Sequence, residues 1–231
     1  DELYAIDEIY ERKNELVRPS VANIDTLIIT FASAKPKPDL YLVDKLTAAA
    51  IDRGIEPVIC ITKSDIKDPG EYREIYEDAG FLTVVTGDNS FNESVFDEIT
   101  KGKVTALAGC SGVGKSTLIN RISGLDSLLT SSVSKKTERG RHTTRHIELL
   151  TLKNGGWILD TPGFSSYEPE ITGRVSDCFR EFSNLGACRF SDCTHISEPD
   201  CAVLKALSEG KIAQSRYESY KKIISAQKEK Y

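Results

Sequence analysis

Between residues 20 and 162 short apolar runs alternate with amphipathic stretches. The apolar runs, bounded by turn residues and rich in Val and Ile, predict strands at 25–31, 56–61, 81–85, 103–108 and 157–159. Between them, apolar positions at helical spacing predict helices near 39–53, 70–80, 92–100 and 115–123. Strands alternating with helices imply an α/β fold with a parallel sheet covered on both faces. Ligands of such sheets bind outside the carboxyl ends of the strands, so the loops leaving the strands are where chemistry should sit. A further strand is expected at 147–152, and 201–229 reads as helical with many exposed Lys and Glu. Residues 125–146 break the pattern. They are Ser/Thr-rich and then basic (Lys135, Lys136, Arg139, Arg141, His142, Arg145), which reads as a long mobile loop of the kind that is either functional or disordered.

Composition narrows the classes. With 231 residues, 39% hydrophobic and 28% charged, the chain reads as one or two ordinary folded domains. No apolar run approaches the ~18 residues of a membrane span, and no signal segment opens the chain, so a cytoplasmic protein without membrane contact is expected; it is also expected to be a monomer. The net charge of -5 gives no global pull on nucleic acid, so a polyanion would need a local basic patch. The chain starts at Asp1 and contains no Met, so position 1 is not expected to be the native start.

Gly109-Cys110-Ser111-Gly112-Val113-Gly114-Lys115-Ser116 fits G-x-x-x-x-G-K-[ST] between a strand and a helix that continues with Thr117. Glycines let the backbone wrap until its N–H groups point at phosphate oxygens; Lys115 can reach the β- and γ-phosphates, and the Ser116 hydroxyl can ligate Mg²⁺. Thr62-Lys63-Ser64-Asp65 follows the strand at 56–61. The Asp65 carboxylate can accept from guanine N1–H and the exocyclic amine together, a pair of donors that adenine lacks. The Lys63 stem can lie along the purine face while its ammonium ties this loop to the phosphate loop. Asp160-Thr161-Pro162-Gly163 follows the strand at 157–159; Asp160 can hold Mg²⁺ through water and the Gly163 N–H can meet a γ-phosphate. In an ordinary GTPase the base-reading loop comes last of the three. Here it comes first, which makes the chain a circular permutation of that domain.

Of six cysteines, Cys60, Cys110 and Cys178 lie in apolar, glycine-rich or helical surroundings. Cys188-x₄-Cys193-x-His195-x₅-Cys201 supplies three thiolates and an imidazole, a closed tetrahedral set suited to one structural Zn²⁺ with no position left for water.

The permuted order, the segment Gly140-Arg141-His142-Thr143-Thr144-Arg145, DTPGF at 160–164 and the Cys/His cluster closely resemble the small-ribosomal-subunit-dependent GTPases of the RsgA family, from about residue 14 to the end. Members carry an N-terminal OB-fold, a permuted G domain and a C-terminal zinc domain. The resemblance divides the chain into an OB-fold remnant at 1–13, with a last strand around 3–11, a G domain at 14–170 and a zinc-binding helical domain at 171–231. The OB-fold is therefore expected to be largely absent. The resemblance also implies a GTPase acting late in small-subunit maturation, with the subunit and its rRNA as partners. Thr144, taken in preference to Thr143, would complete the Mg²⁺ shell in the GTP state. Phe164 stands where many GTPases place a water-orienting Gln, and a phenyl ring cannot orient water; the resemblance points to His142 instead. The basic run would sense rRNA, and Lys205, Lys211, Arg216, Lys221 and Lys222 offer a second contact face. Two other readings stay open at this point: an ATP-using nucleotide kinase, and a zinc-stapled RNA-binding switch without meaningful turnover.

Overall fold

The computed structural model describes residues 7–16, 20–124, 148–160 and 170–228. A short antiparallel pair, β1 (Glu15–Leu16) and β2 (Val21–Ala22), leads into β3 (Thr26–Ala32). Then follow α1 (Leu40–Asp52), β4 (Glu56–Thr62), α2 (Gly70–Asp78), β5 (Thr83–Val85), α3 (Glu93–Thr100), β6 (Val104–Ala108), α4 (Lys115–Ser123), β7 (Glu148–Thr151) and β8 (Trp157–Asp160). Two 3₁₀ turns, Val175–Cys178 and Arg180–Phe182, precede α5 (Ala202–Ser208) and α6 (Gln214–Lys228).

The six-stranded sheet runs β5-β4-β3-β6-β8-β7, parallel throughout except for β7, which pairs antiparallel with β8. Every residue of β3 is buried, as a central parallel strand covered on both faces requires. The alternation of side chains sorts it between two cores. Leu27, Ile29 and Phe31 pack with Val43, Leu46 and Tyr76 beneath α1 and α2, whereas Ile28 packs with Leu107, Phe96 and Ile119 beneath α3 and α4.

A third core joins Val175, Phe179, Val203, Tyr217 and Tyr220 to Ala48 of α1, with Tyr41 and Ile51 packed against it. Helix α1 therefore faces the sheet on one side and the C-terminal helices on the other.

Three expectations change. The helix at 201–229 is two helices, interrupted near Gly210, whose φ of +72° favours glycine. Cys178, expected on a helix, closes a 3₁₀ turn. The strand around 3–11 does not form over its described part, where residues 7–11 run as exposed irregular chain.

Candidate functional site

The two nucleotide motifs leave strands that flank β3: Thr62 ends β4 and Gly109 follows β6. Two strand spacings, about 9–10 Å, separate the loops at their roots. Gly109 (φ +138°) passes so close to β3 that a Cβ would lie 2.0 Å from the Thr30 carbonyl oxygen. At the other end Gly114, at φ +102°, sits as the left-handed N-cap of α4. Between them the Lys115 ammonium donates to the carbonyls of Gly109 and Cys110, each at 2.7 Å, and so lies within the curve of its own loop. Ser111, Gly112, Ser116 and Thr117 are exposed, and Val113 is buried as the loop's anchor. The N-terminus of α4 adds partial positive charge where a phosphate would lie.

The base-side loop is tied to the phosphate loop directly. Thr62 Oγ1 donates to Val113 O at 2.6 Å, and Lys63 Nζ donates to Gly112 O at 2.9 Å and to Lys35 O at 2.5 Å. Lys63 itself is left-handed (φ +59°), and its carbonyl accepts from Ser33 Oγ at 2.7 Å. One cavity of about 220 Å³ is lined by Lys63, Asp65, Gly114 and Thr117 together. The loops thus meet around a single space despite their order along the chain. Ser64 is half-buried and its hydroxyl contacts that of Ser90 at 3.1 Å.

Sequence reasoning missed a third wall. Thr86, Gly87 and Asp88, leaving β5, line the same cavity, as does Arg121 of α4. The Asp88 N–H donates to Asp65 Oδ1 at 3.2 Å, and a Cβ on Gly87 would stand 2.7 Å from that oxygen. The available signal was position: the Thr-Gly-Asp-Asn-Ser run at 86–90 leaves a parallel strand at the edge that carries the other two loops.

Asp160 ends β8, hydrogen-bonded beside the phosphate-loop strand β6. Gly163, Phe164, the basic run at 135–146, His142, Thr143 and Thr144 lie outside the described residues.

The ligand atoms of Cys188, Cys193, His195 and Cys201 all lie within 4.8 Å of one another. His195 Nδ1 is 3.4 Å from Cys201 Sγ and 3.6 Å from Cys188 Sγ, and those two sulfurs are 3.9 Å apart. A tetrahedral zinc with bonds of about 2.3 Å spaces its sulfurs about 3.8 Å apart, so the donor set fits the ion in type and spacing. Burial holds the His195 imidazole below its usual pKa, which keeps a lone pair for the metal. The surrounding turn is fixed from outside. Tyr217 and Tyr220 hydroxyls donate to the carbonyls of His195 and Thr194, both at 2.8 Å, and Arg174 donates to Cys193 O at 2.7 Å. The Glu198 carboxylate accepts from the Thr194 hydroxyl and from the N–H groups of Thr194, Ile196 and Ser197.

One part of the expected second basic face is corrected. Lys205, Lys211, Lys221 and Lys222 are exposed, but Arg216 is 1% exposed and paired with Asp44 and Glu181. It belongs to the core because it shares a helical face with the buried Tyr220 and Ile223.

Comparison with known proteins agrees with this geometry. The sequence model of the family described as RsgA GTPase matches residues 9–170. The chain is 43% identical over 226 residues to the small ribosomal subunit biogenesis GTPase RsgA of Alkaliphilus metalliredigens, covering 95% of this chain and 77% of that one. It is 44% identical over 232 residues to the protein of that name from Caldanaerobacter subterraneus, with 96% and 78% covered. Among solved structures, YjeQ from Thermotoga maritima superposes with a TM-score of 0.76 at 33% identity, over 95% of this chain and 77% of that one. YloQ, described as a circularly permuted GTPase, does so with a TM-score of 0.78 at 33% identity, over 97% and 75%. A phosphate loop and a base-side loop in permuted order, meeting at one cavity, are therefore features of a chain that belongs to the RsgA GTPase family.

Proposed function

We propose that this chain, a GTPase of small-ribosomal-subunit biogenesis, holds guanine against Asp65 and Lys63 and the phosphates in the loop from Gly109 to Ser116. The observation that carries the reading is the cavity shared by Lys63, Asp65, Gly114 and Thr117, braced by the bond from Lys63 to Gly112. Asp65 is exposed on that cavity and offers two acceptor oxygens to the guanine edge. When GTP enters, Lys115 exchanges the carbonyls of Gly109 and Cys110 for phosphate oxygens, a stronger charge-assisted bond. Ser116, Asp160 and Thr144 are the residues that would hold Mg²⁺, which draws charge from the β- and γ-phosphates when bound. Residues 14–170 serve as the nucleotide-binding unit and 171–231 as a zinc-stapled docking unit.

The partner is the small subunit and its rRNA, met by the basic run at 135–146, and the working place is the cytoplasm, as a monomer. No helix among the described residues is long and apolar enough to cross a membrane. His142 in that run orients the attacking water when the chain is docked on the small subunit, a task that Phe164 cannot perform.

Phosphate release from GTP and from ATP, with and without small subunits, tests the proposal. GTP turnover should be slow alone and rise strongly with subunits, and ATP turnover should stay at background. Equal use of ATP would overturn the guanine reading. In the same assay His142→Ala should abolish the stimulated rate and leave GTP affinity near normal; an unchanged stimulated rate removes His142 from the mechanism.

The Cys188, Cys193, His195 and Cys201 set should return about one zinc per chain. Chelation at neutral pH should lower the unfolding temperature and alter the fluorescence of Tyr217 and Tyr220, which bond to the zinc turn. A zinc content far below one per chain after gentle purification would count against the metal.

A further inference from the structure

Arg121, in the last turn of α4, joins the phosphate-binding helix to the loop that leaves β5. Its Nη1 donates to Gly87 O at 2.8 Å and its Nη2 to Asp88 O at 3.3 Å, while its guanidinium lies 5.6 Å from the Phe91 ring centre. The fork is thus fixed on two carbonyls and an aromatic face at once.

Gly87 C=O and Asp88 N–H belong to one peptide unit. Such a unit is planar and trans, so its oxygen and its hydrogen point in opposite directions. Arg121 holds the oxygen. The N–H on the far side donates to Asp65 Oδ1 at 3.2 Å. Turning this plane would break both bonds together and release the carboxylate on which the base is read. Gly87 leaves the room for it, since a Cβ there would stand 2.7 Å from Asp65 Oδ1 and 2.8 Å from Ser64 Oγ.

We propose that Arg121 is a positioning residue for guanine selectivity: through the Gly87–Asp88 peptide it sets where the Asp65 carboxylate stands in the base cavity. The proposal rests on the reading that Asp65 recognises guanine. It assigns Arg121 no contact with phosphate and no part in hydrolysis. Its effect therefore falls on the base-dependent share of affinity, which nucleotides differing only in the base can isolate.

The test is equilibrium binding of GDP, IDP (which lacks the 2-amino group) and ADP to the intact chain, to Arg121→Ala and to Arg121→Lys, with thermal unfolding measured beside it. The unaltered chain should prefer GDP over IDP, and ADP should bind far more weakly than either. In Arg121→Ala the ratio of GDP to IDP affinity should fall at least fivefold with ADP binding unchanged. Arg121→Lys should fall between the two, because an ammonium can still reach a carbonyl but lacks the planar fork and the flat face against Phe91 that fix the Gly87–Asp88 peptide. An unchanged GDP to IDP ratio in Arg121→Lys overturns the proposal, whether or not the alanine variant folds. Equal weakening of all three nucleotides overturns it as well, since that is the result of a merely loosened pocket. An unaltered chain with no preference for GDP over ADP instead defeats the Asp65 reading, and the role of Arg121 falls with it.

Discussion

Arg216→Ala should destabilise the chain by about 3–5 kcal/mol, the cost expected when one partner of a buried ion network is removed. For a domain of this size that is a fall of roughly 6–20 °C in the unfolding temperature. Arg216 is 1% exposed, and both its partners are buried: the side chains of Asp44 and Glu181 are 0% and 4% exposed. Its Nη1 donates to Asp44 Oδ1 at 2.8 Å, while Nε and Nη2 grip the two oxygens of Glu181 at 2.7 and 3.1 Å. The guanidinium also lies 4.7 Å from the Phe179 ring centre and 5.2 Å from that of Phe81. Burial pushes Asp44 up in pKa, and Arg216 opposes that push. Without the arginine two carboxylates would remain in the core with no cation to balance them.

The cost is thus one of orphaned charge rather than lost volume, and a second set of variants separates the two. Arg216→Met keeps most of the volume and should be nearly as damaging as alanine. Adding Asp44→Asn and Glu181→Gln to Arg216→Met should recover more than half of the loss, because neutral amides cost less to bury than unpaired carboxylates. Urea unfolding of the unaltered chain and the three variants reads the result. A single-variant loss below about 1 kcal/mol, or a triple variant no better than Arg216→Met, would show that the network does not hold the C-terminal helices to α1.

Arg216 also marks where the sequence stops being legible. The strands and helices of the sheet follow from alternating apolar runs, and the phosphate loop, the base-side loop and the zinc set follow from spacing. Each of those is a local pattern: the residues that act together are neighbours in the chain, or their type and spacing leave few alternatives. Arg216 pairs with Asp44 from 172 positions away, and its residue type, among exposed Lys and Glu, does not signal that it faces inward. Its helical phase with Tyr220 and Ile223 was the available clue. Arg121 and the loop at Thr86–Asp88 were missed as well. There the obstacle is of another kind: their contacts run through backbone carbonyls and a peptide plane, which carry no side-chain signature. The C-terminal boundary is blurred too. A division at 170/171 separates the motifs, but Ala48, Tyr41 and Ile51 of α1 pack into the core of the segment that carries the Cys/His cluster, so one helix serves both.

Asp65→Asn should weaken GDP binding by about 3 kcal/mol, roughly a hundredfold, and raise the affinity for XDP. A carboxylate accepts from guanine N1–H and from the 2-amino group together; an amide can accept from the first, but its own N–H₂ then faces the second, donor against donor. Xanthine carries an oxygen where guanine carries that amine. Beside Asp65 the oxygen would face a negative charge, whereas beside asparagine it accepts a hydrogen bond. One heavy atom of the protein therefore exchanges its preference for one heavy atom of the base. Asp65 is exposed on the cavity, and its recorded bond from the backbone is the Asp88 N–H, which either side chain can accept, so the substitution leaves the loop a route to its present form. Titration of GDP and XDP against both proteins, with unfolding temperatures compared, gives the ratio of affinities free of any change in stability. A GDP to XDP ratio that shifts less than tenfold would remove Asp65 from base recognition and return the cavity between Lys63 and Gly114 to a pocket of unassigned specificity.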